Sequence, residues 1–380
     1  MNTMNFRKIV FLTGTRADFG KLKSLMLRLQ SDEHFDVHVF ITGMHMLSRY
    51  GSTWEEVRKA GLVNIYRFIN QNEQDSMDQI LSKTICGLSD YVKEITPDMI
   101  VVHGDRVEAL AGAIVGSLNN IRVAHIEGGE VSGTVDEIIR HSISKMSHFH
   151  FVANDEARRR LVQLGESKET IYVIGSPDID IMNSPELPTL EKVKSYYHFN
   201  FKDYAILMFH PVTTEYRSIQ QQISTIVDCA LQVSQNFVVL YPNNDHGTEF
   251  ILQEYERLQG CSRFAIYPSM RFEYFLTLLK HANYIIGNSS AGIREAPHFG
   301  VPTINLGSRQ HRRVQTSSVI NVSINCKDIV EAIKLVQVMP RISRTLFGNG
   351  NSAGEFIQVL QTEENWDRDI QKYFIDYPSK

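Results

Sequence analysis

The stretch from Met99 to His150 limits what this chain can fold into. Residues 99–102 are an apolar run with no polar interruption, the pattern of a strand covered on both faces, and residues 123–126 are a second short run around His125. Polar residues follow each run: His103, Gly104, Asp105 and Arg106 after the first, Glu127, Gly128, Gly129 and Glu130 after the second. The stretch reads strand, helix, strand, loop, helix, so both polar clusters fall at the carboxyl ends of strands. In open α/β sheets that edge is where ligands bind.

The same alternation runs through the chain. Residues 8–12 predict the first strand, broken by T-G-T-R-A-D-F-G before a helix starting near Lys21 with Leu22, Leu25, Met26 and Leu29 on one face. Further strands are expected at 37–41, 63–68, 149–153 and 171–174, with helices at 54–60, 76–95, 135–145 and 154–164. Residues 182–189 carry Pro185 and Pro188 without periodicity and read as a linker. The pattern then restarts, with strands at 204–209, 237–241, 264–267, 284–286 and 302–306 and helices at 216–234, 248–258, 272–281 and 293–299. Residues 352–374 read as a last helix that reaches back across the linker. The fold class is therefore α/β: two Rossmann-like doubly wound domains, 1–181 and 190–350, facing each other across a cleft, with 351–380 returning to the first.

A chain of 380 residues is too long for one compact core, and an apolar fraction of 43% is that of a soluble globular protein. A net charge of −4 without any Lys/Arg run gives no reason to expect a nucleic-acid partner. Cys86, Cys229, Cys261 and Cys326 form no CxxC pair, which speaks for a reducing compartment and against a metal or disulfide framework. With no signal peptide and no membrane-length apolar run, the expected location is the cytoplasm, away from any membrane.

Candidate site residues lie where strands end. After the first strand, the Gly-containing turn presents backbone N–H groups to an anion, and Arg16 is either a phosphate contact or a surface residue on a tight turn. His45, between two methionines, is either a site residue or a capped turn histidine, the second being the commoner case for a lone His. G-N-S-S-A-G lies between a buried strand and a helix, so Ser289, Ser290 and the N–H groups of Ala291 and Gly292 would crown a helix start, with Glu295 one turn inside, able to accept from ribose hydroxyls. An ordinary N-cap is the alternative. Asp105, Glu127, Glu130, Asp136 and Glu137 gather with His103, His125 and His141, a grouping suited to general acid/base work; Asp136 and Arg140 are also spaced for an intrahelical ion pair. Neither HExxH nor another zinc spacing occurs. Phe275 reads as a buried helix aromatic or a stacking partner for a base, and Asn243 and Asp245 as cleft residues or a plain turn.

T-G-T-R-A-D-F-G, H-G-D-R, H-I-E-G-G-E-x-S-G-T-x-D-E-x-I-R-H, F-H-P-V-T-T-E and G-N-S-S-A-G-I-R-E together resemble the UDP-N-acetylglucosamine 2-epimerase family, over nearly the whole chain. The resemblance is to the hydrolysing bacterial branch that supplies N-acetylmannosamine for sialic acid. The non-hydrolysing branch has T-G-Q-H where this chain has Thr42-Gly43-Met44-His45, and an E-E-x-N-R segment where it reads Asp136-Glu137-Ile138-Ile139-Arg140. The resemblance implies a GT-B-like fold, no cofactor and no metal, a UDP-sugar substrate and a homo-oligomer, dimer or tetramer. It implies Asp105, Glu127 and Asp136 as catalytic acids and His210 beside them. It puts Arg16 with Ala17 and Asp18, His210, Ser289, Ser290 and Glu295 at UDP, with Arg140, Arg309, Asn243 and Phe275 as further contacts. The implied reaction is elimination of UDP to a glycal followed by hydration. A diacetamido-trideoxy sugar substrate, an intact UDP-sugar product, and glycosyl transfer on the same fold are the alternatives.

Overall fold

The computed structural model describes residues 6–376 except 73, 312, 314 and 315. The strands are β1 (Arg7–Thr13), β2 (Phe35–Ile41), β3 (Asn64–Arg67), β4 (Met99–His103), β5 (Arg122–Ile126), β6 (Phe149–Val152), β7 (Ile171–Val173), β8 (Ala205–Met208), β9 (Phe237–Leu240), β10 (Phe264–Tyr267), β11 (Ile285–Gly287), β12 (Thr303–Leu306) and β13 (Val319–Val322). The helices are α1 (Arg16–Gln30), α2 (Trp54–Lys59), α3 (Met77–Ile95), α4 (Val107–Leu118), α5 (Val135–Met146), α6 (Asp155–Gln163), α7 (Pro177–Met182), α8 (Leu190–Tyr197), α9 (Ile219–Gln232), α10 (Thr248–Glu256), α11 (Phe272–His281), α12 (Glu295–His298), α13 (Cys326–Val336) and α14 (Ser352–Gln361). Residues up to Glu130, Asp136–Asn183 and those from Phe347 onward form one unit; Val131–Val135 and Ser184–Leu346 form another.

In the first unit seven parallel strands pair in the order β3-β2-β1-β4-β5-β6-β7. Ile9 lies opposite Val37 on one side and Met99 on the other, so the strand order reverses between β1 and β4. The strands read as nearly unbroken apolar runs because helices cover both faces, and Ile9, Val10, Phe11 and Ile100 to Val102 are fully buried. Helix α14 belongs to this core: Phe356 packs on Phe11 and Phe151, with ring centroids 6.3 and 4.7 Å apart. It is shorter than expected. Asn365 Nδ2 and Trp366 Nε1 donate 2.8 Å bonds to the carbonyls of Val359 and Leu360, closing the helix at Gln361. The chain then runs on without helix past a 3-10 turn, and Lys372 Nζ reaches the Lys145 carbonyl at the end of α5, at 2.8 Å, and Glu166 Oε2 at 2.6 Å.

The first helix starts earlier than periodicity suggests. Thr15 and Asp18 form a reciprocal capping box, so the helix begins at Arg16 and the turn shortens to residues 14–15. Apolar spacing alone misses this, since Arg16, Ala17 and Asp18 are polar or exposed on the first turn.

The second unit repeats the arrangement with six parallel strands, β10-β9-β8-β11-β12-β13, reversing between β8 and β11. β13 and α13 have no counterpart in the sequence expectation. The helix expected from residue 216 begins with a 3-10 turn over Thr213–Ser218, and α9 starts at Ile219. Gly287, at the end of β11, has φ +135°, and a Cβ there would lie 1.9 Å from the Met208 carbonyl oxygen. Gly287→Ala should therefore destabilise the protein by about 3 kcal/mol or more, read as the midpoint of urea unfolding.

Burial holds several histidines of the first unit neutral. His125 is pushed down to about 3 and His45 to about 4, against an ordinary 6.5. Burial alone would raise the Glu166 carboxyl, but His150 and the Lys372 ammonium outweigh it and hold it at about 2. Between pH 6.5 and about 3 the unfolded chain binds protons on His125 and His45 that the folded chain refuses. Stability is thus fully present above 6.5 and is lost as pH falls, with Glu166 adding to the loss below about 4.5. The urea midpoint should drop steadily from pH 7 to pH 4; a flat profile would contradict the burial of neutral imidazoles.

Candidate active site

In each sheet the strand order reverses next to the first strand, and the crevice outside the carboxyl ends of the flanking strands is the place for a ligand. In the first unit those strands are β1 and β4, with β5 beside them. The β1 end is rigid. Asp18 accepts from the N–H of Gly14 at 3.0 Å and of Thr15 at 3.2 Å, and from the Thr13 hydroxyl. The Thr13 hydroxyl also meets His45 Nε2 at 3.1 Å, while His45 Nδ1 meets Thr53 Oγ1 at 2.6 Å. His45 is thus a satisfied core histidine, and Asp18 spends its carboxylate on the turn. Arg16 opens α1 with Nη2 3.9 Å from Glu56 Oε1. Ala17 is exposed beside it.

The ends of β4 and β5 are tied together by Arg140 on α5, which is 3% exposed. Its Nη1 donates 2.7 Å to the Glu127 carbonyl and its Nη2 donates to the Asp105 carboxylate. A charge-assisted pair of this kind fixes position as well as charge. Asp136, one turn earlier on the same helix, is half-buried. Below them, neutral His125 donates from Nε2 to the Gly104 carbonyl at 2.8 Å and accepts at Nδ1 from Ser144, setting the turn that carries Asp105.

Glu127 is the most constrained of the acids. Its φ is +64°, a left-handed backbone that a non-glycine residue adopts only where its surroundings impose it. Its N–H bonds the Phe151 carbonyl at 2.9 Å. Its buried carboxylate accepts from Ser176 Oγ and lies 3.6 Å from Lys21 Nζ and 3.3 Å from His103 Nε2. Lys21 is also 3.4 Å from Asp178, which is 1% exposed. A carboxylate bracketed by an ammonium, an imidazole and a hydroxyl can take up and return a proton in place. Lys21, Ser176 and Asp178 were absent from the sequence-derived site. Ser176 and Asp178 belong to G-S-P-D after β7, a polar strand end that could have signalled them, whereas Lys21, inside the apolar stripe of α1, gave no such signal.

In the second unit the flanking strands are β8 and β11. His210, after β8, exchanges two backbone–amide bonds with Asn288, at 2.7 and 2.8 Å. Its Nδ1 accepts from the Asn243 N–H at 3.0 Å, so the Nε2 edge carries the proton. Asn243 therefore acts here through its main chain. Asn288, 1% exposed, also takes Arg309 Nη1 and Gln310 Nε2 on its carbonyl, at 3.2 and 2.7 Å. Asn288 was not singled out from the sequence, although it sits inside G-N-S-S.

The segment after β11 differs from expectation. Instead of one helix over 293–299, a 3-10 turn over Ser290–Gly292 precedes the four-residue α12. The Gly292 N–H bonds the Ser289 carbonyl at 3.2 Å, and the Ala291 N–H bonds Ser289 Oγ at 3.3 Å. Those two donors are spent within the turn and do not crown a helix. Glu295 opens α12 and is buried, where a position one turn inside was expected. Phe275 is 7% exposed on α11, the packing position of the two considered. Among the described residues, no group of three or more His, Cys, Asp or Glu is arranged to hold a metal ion, and no helix is long and apolar enough to cross a membrane.

Comparison with known proteins agrees with this architecture. A family profile described as UDP-N-acetylglucosamine 2-epimerase matches residues 27–361. A Neisseria meningitidis protein named UDP-N-acetylglucosamine 2-epimerase is 47% identical over 97% of this chain and 99% of its own length. A Legionella pneumophila protein named UDP-N,N'-diacetylbacillosamine 2-epimerase (hydrolyzing) is 34% identical over 94% of this chain and 96% of its own. Among solved structures, a Methanocaldococcus jannaschii UDP-GlcNAc 2-epimerase in complex with UDP-GlcNAc and UDP shares the GT-B-like fold. Its TM-score is 0.79 at 23% identity, covering 93% of this chain and 99% of that one. With its two doubly wound parallel sheets and a profile match across most of its length, this chain belongs to the UDP-N-acetylglucosamine 2-epimerase family.

Proposed function

We propose that this protein is a hydrolysing 2-epimerase that converts UDP-N-acetylglucosamine and water to N-acetylmannosamine and UDP, supplying the sugar for sialic acid. The observation that carries the reading is the pair of acids at adjacent strand ends, with one buried arginine bonding the Asp105 carboxylate and the Glu127 main-chain carbonyl. Inversion at C2 is difficult because the C2–H bond is not next to a carbonyl. It becomes feasible when the C1–O bond to UDP breaks as a carboxylate removes the C2 proton, leaving a C1–C2 double bond. Water then adds its oxygen at C1, and a second acid returns a proton to C2 on the opposite face. Asp105, Glu127 and Asp136 are proposed for these proton transfers. Lys21 and His103 bracket Glu127, and Ser176 fixes its rotamer. Arg16, His210, Ser289, Ser290, Glu295 and Arg309 are proposed to hold UDP and stabilise its departure. The hydrolysing outcome rests on the departures at Met44 and at residues 136–140, and on the hydrolysing activity named for the Legionella relative.

That relative's name also supports a second reading, in which the substrate is a UDP-diacetamido-trideoxy sugar. Comparing kcat/KM for the two UDP-sugars decides between them.

Incubation with UDP-N-acetylglucosamine in deuterated water, followed by NMR, tests the chemistry. Deuterium should appear at C2 of free N-acetylmannosamine; protium retained there overturns the elimination, and an intact UDP-sugar product overturns hydrolysis. Asp105→Asn and Glu127→Gln should each lower kcat by on the order of 10²- to 10⁴-fold while calorimetric UDP affinity stays within a few-fold. Ser290→Ala should chiefly weaken UDP, by roughly tenfold. Arg140→Lys keeps the charge but cannot span both partners, and should lower kcat by about 10²-fold with UDP affinity unchanged.

A further inference from the structure

Asp178 is a buried ionisable group that the proton transfers proposed above leave unused. It sits on the first turn of α7, directly after Pro177, and is 1% exposed. Its carboxylate lies 3.4 Å from the ammonium of Lys21, which enters from α1. The same ammonium lies 3.6 Å from Glu127 Oε1. We propose that Asp178 is a positioning residue for the reaction: it holds Lys21 between two buried carboxylates, so that the ammonium orients Glu127 without taking away its capacity to accept a proton. The inference rests on the reading of Glu127 as a proton-transfer group.

The distances carry the argument. Both are longer than the roughly 2.7–2.9 Å of a closed charge-assisted hydrogen bond, so the ammonium is closed on neither carboxylate. Glu166, in the same unit, shows the other arrangement. Lys145 Nζ closes on it at 2.9 Å and Lys372 Nζ at 2.6 Å. Burial alone would raise that carboxyl, yet His150 and Lys372 hold it at about 2, where it stays ionised and is a poor base near neutral pH. A second carboxylate across the ammonium keeps Glu127 out of that state.

Helix α7 is fastened in a way that preserves this division. Ser176, just before it, gives its hydroxyl to Glu127 Oε1 and its N–H to the Phe347 carbonyl at 2.7 Å. Asp180 accepts from the N–H groups of Ser352 and Ala353, both at 2.8 Å, and so caps α14. The two acids of this short helix therefore do different work: Asp180 ties it down, and Asp178 faces Lys21. Around the Glu127 carboxylate stand Lys21 from α1, His103 Nε2 at 3.3 Å from the end of β4, and Asp178 across the ammonium. From α5 comes the Arg140 guanidinium, engaged by the Glu127 carbonyl and by Asp105. Removing the Asp178 charge leaves the ammonium to act on Glu127 with less competition, which favours the ionised carboxylate and makes it a weaker base.

The test is the pH profile of kcat/KM for release of N-acetylmannosamine from UDP-N-acetylglucosamine. Asp178→Asn keeps the shape and removes the charge, Asp178→Leu removes it with an apolar side chain, and Asp178→Glu keeps it. The Asn and Leu variants should lower kcat by roughly tenfold and move the acid limb to lower pH by about one pH unit, with UDP affinity within a few-fold of the parent. Asp178→Glu should keep the parental limb. Asp180→Ala, the structural comparison, should lower the melting temperature and leave the limb in place. Two neutral replacements are used so that one folded, UDP-binding variant suffices. An unmoved limb in that variant, or an equal shift in Asp178→Glu, overturns the proposal and leaves the reaction assignment standing. Failure of the reaction reading shows separately, as no deuterium at C2 with the parent protein, and overturns both.

Discussion

The arrangement of the first unit's strand ends depends on a single guanidinium. Arg140 bonds at once to the side chain of Asp105, after β4, and to the main chain of Glu127, after β5. Two strand ends that parallel pairing brings close are thereby fixed in relative height to within a hydrogen bond. Taking such a group out of water costs several kcal/mol, which only well-formed bonds offset. A lysine in its place would supply charge without the fork that reaches both partners.

Around that tie the buried imidazoles serve as neutral dipoles. His125 sets the Gly104 carbonyl and His45 braces the turn after β1, and burial keeps both far from protonation near neutral pH. The strained backbone at Glu127 is the counterpart of this rigidity. Its left-handed conformation turns the carboxylate toward Lys21, His103 and Ser176, where an extended residue would continue the strand direction.

Most of the architecture was legible in the sequence because parallel strands buried on both faces leave short apolar runs, here alternating with helical periodicity. β4, β5 and β10, and the helix α11, stand at or within one residue of where the pattern puts them. What failed were features set by local hydrogen bonds. The Thr15–Asp18 capping box moved the start of α1, and Asn365 with Trp366 ended α14 at Gln361 rather than near 374. The turn after β11 was also misjudged, because Ser289 satisfies neighbouring N–H groups itself and Pro297 sits within the short α12. At the site, Asp105 and Glu127 could be picked out as polar residues at strand ends, whereas spacing marked Arg140 only as a helix residue placed to pair with Asp136, and in the structure it bonds Asp105 and the Glu127 carbonyl. Lys21 could not be picked out, because a lysine within an apolar stripe looks like a solvated edge until Asp178 and Glu127 are seen on either side of it. Asn288 was hidden by the serines beside it.

The return of the chain from Phe347 onward into the first unit bears on how the protein is made. Translation delivers β1 to β7 first, yet Phe356, Ile357 and Leu360 of their core arrive only after the whole second sheet has been synthesised. Residues Ser184–Leu346 can mature as they leave the ribosome, whereas the earlier half waits with an uncovered apolar surface over Phe11 and Phe151. That nascent interval, more than the finished molecule, is when this polypeptide is most exposed to aggregation and most in need of a chaperone.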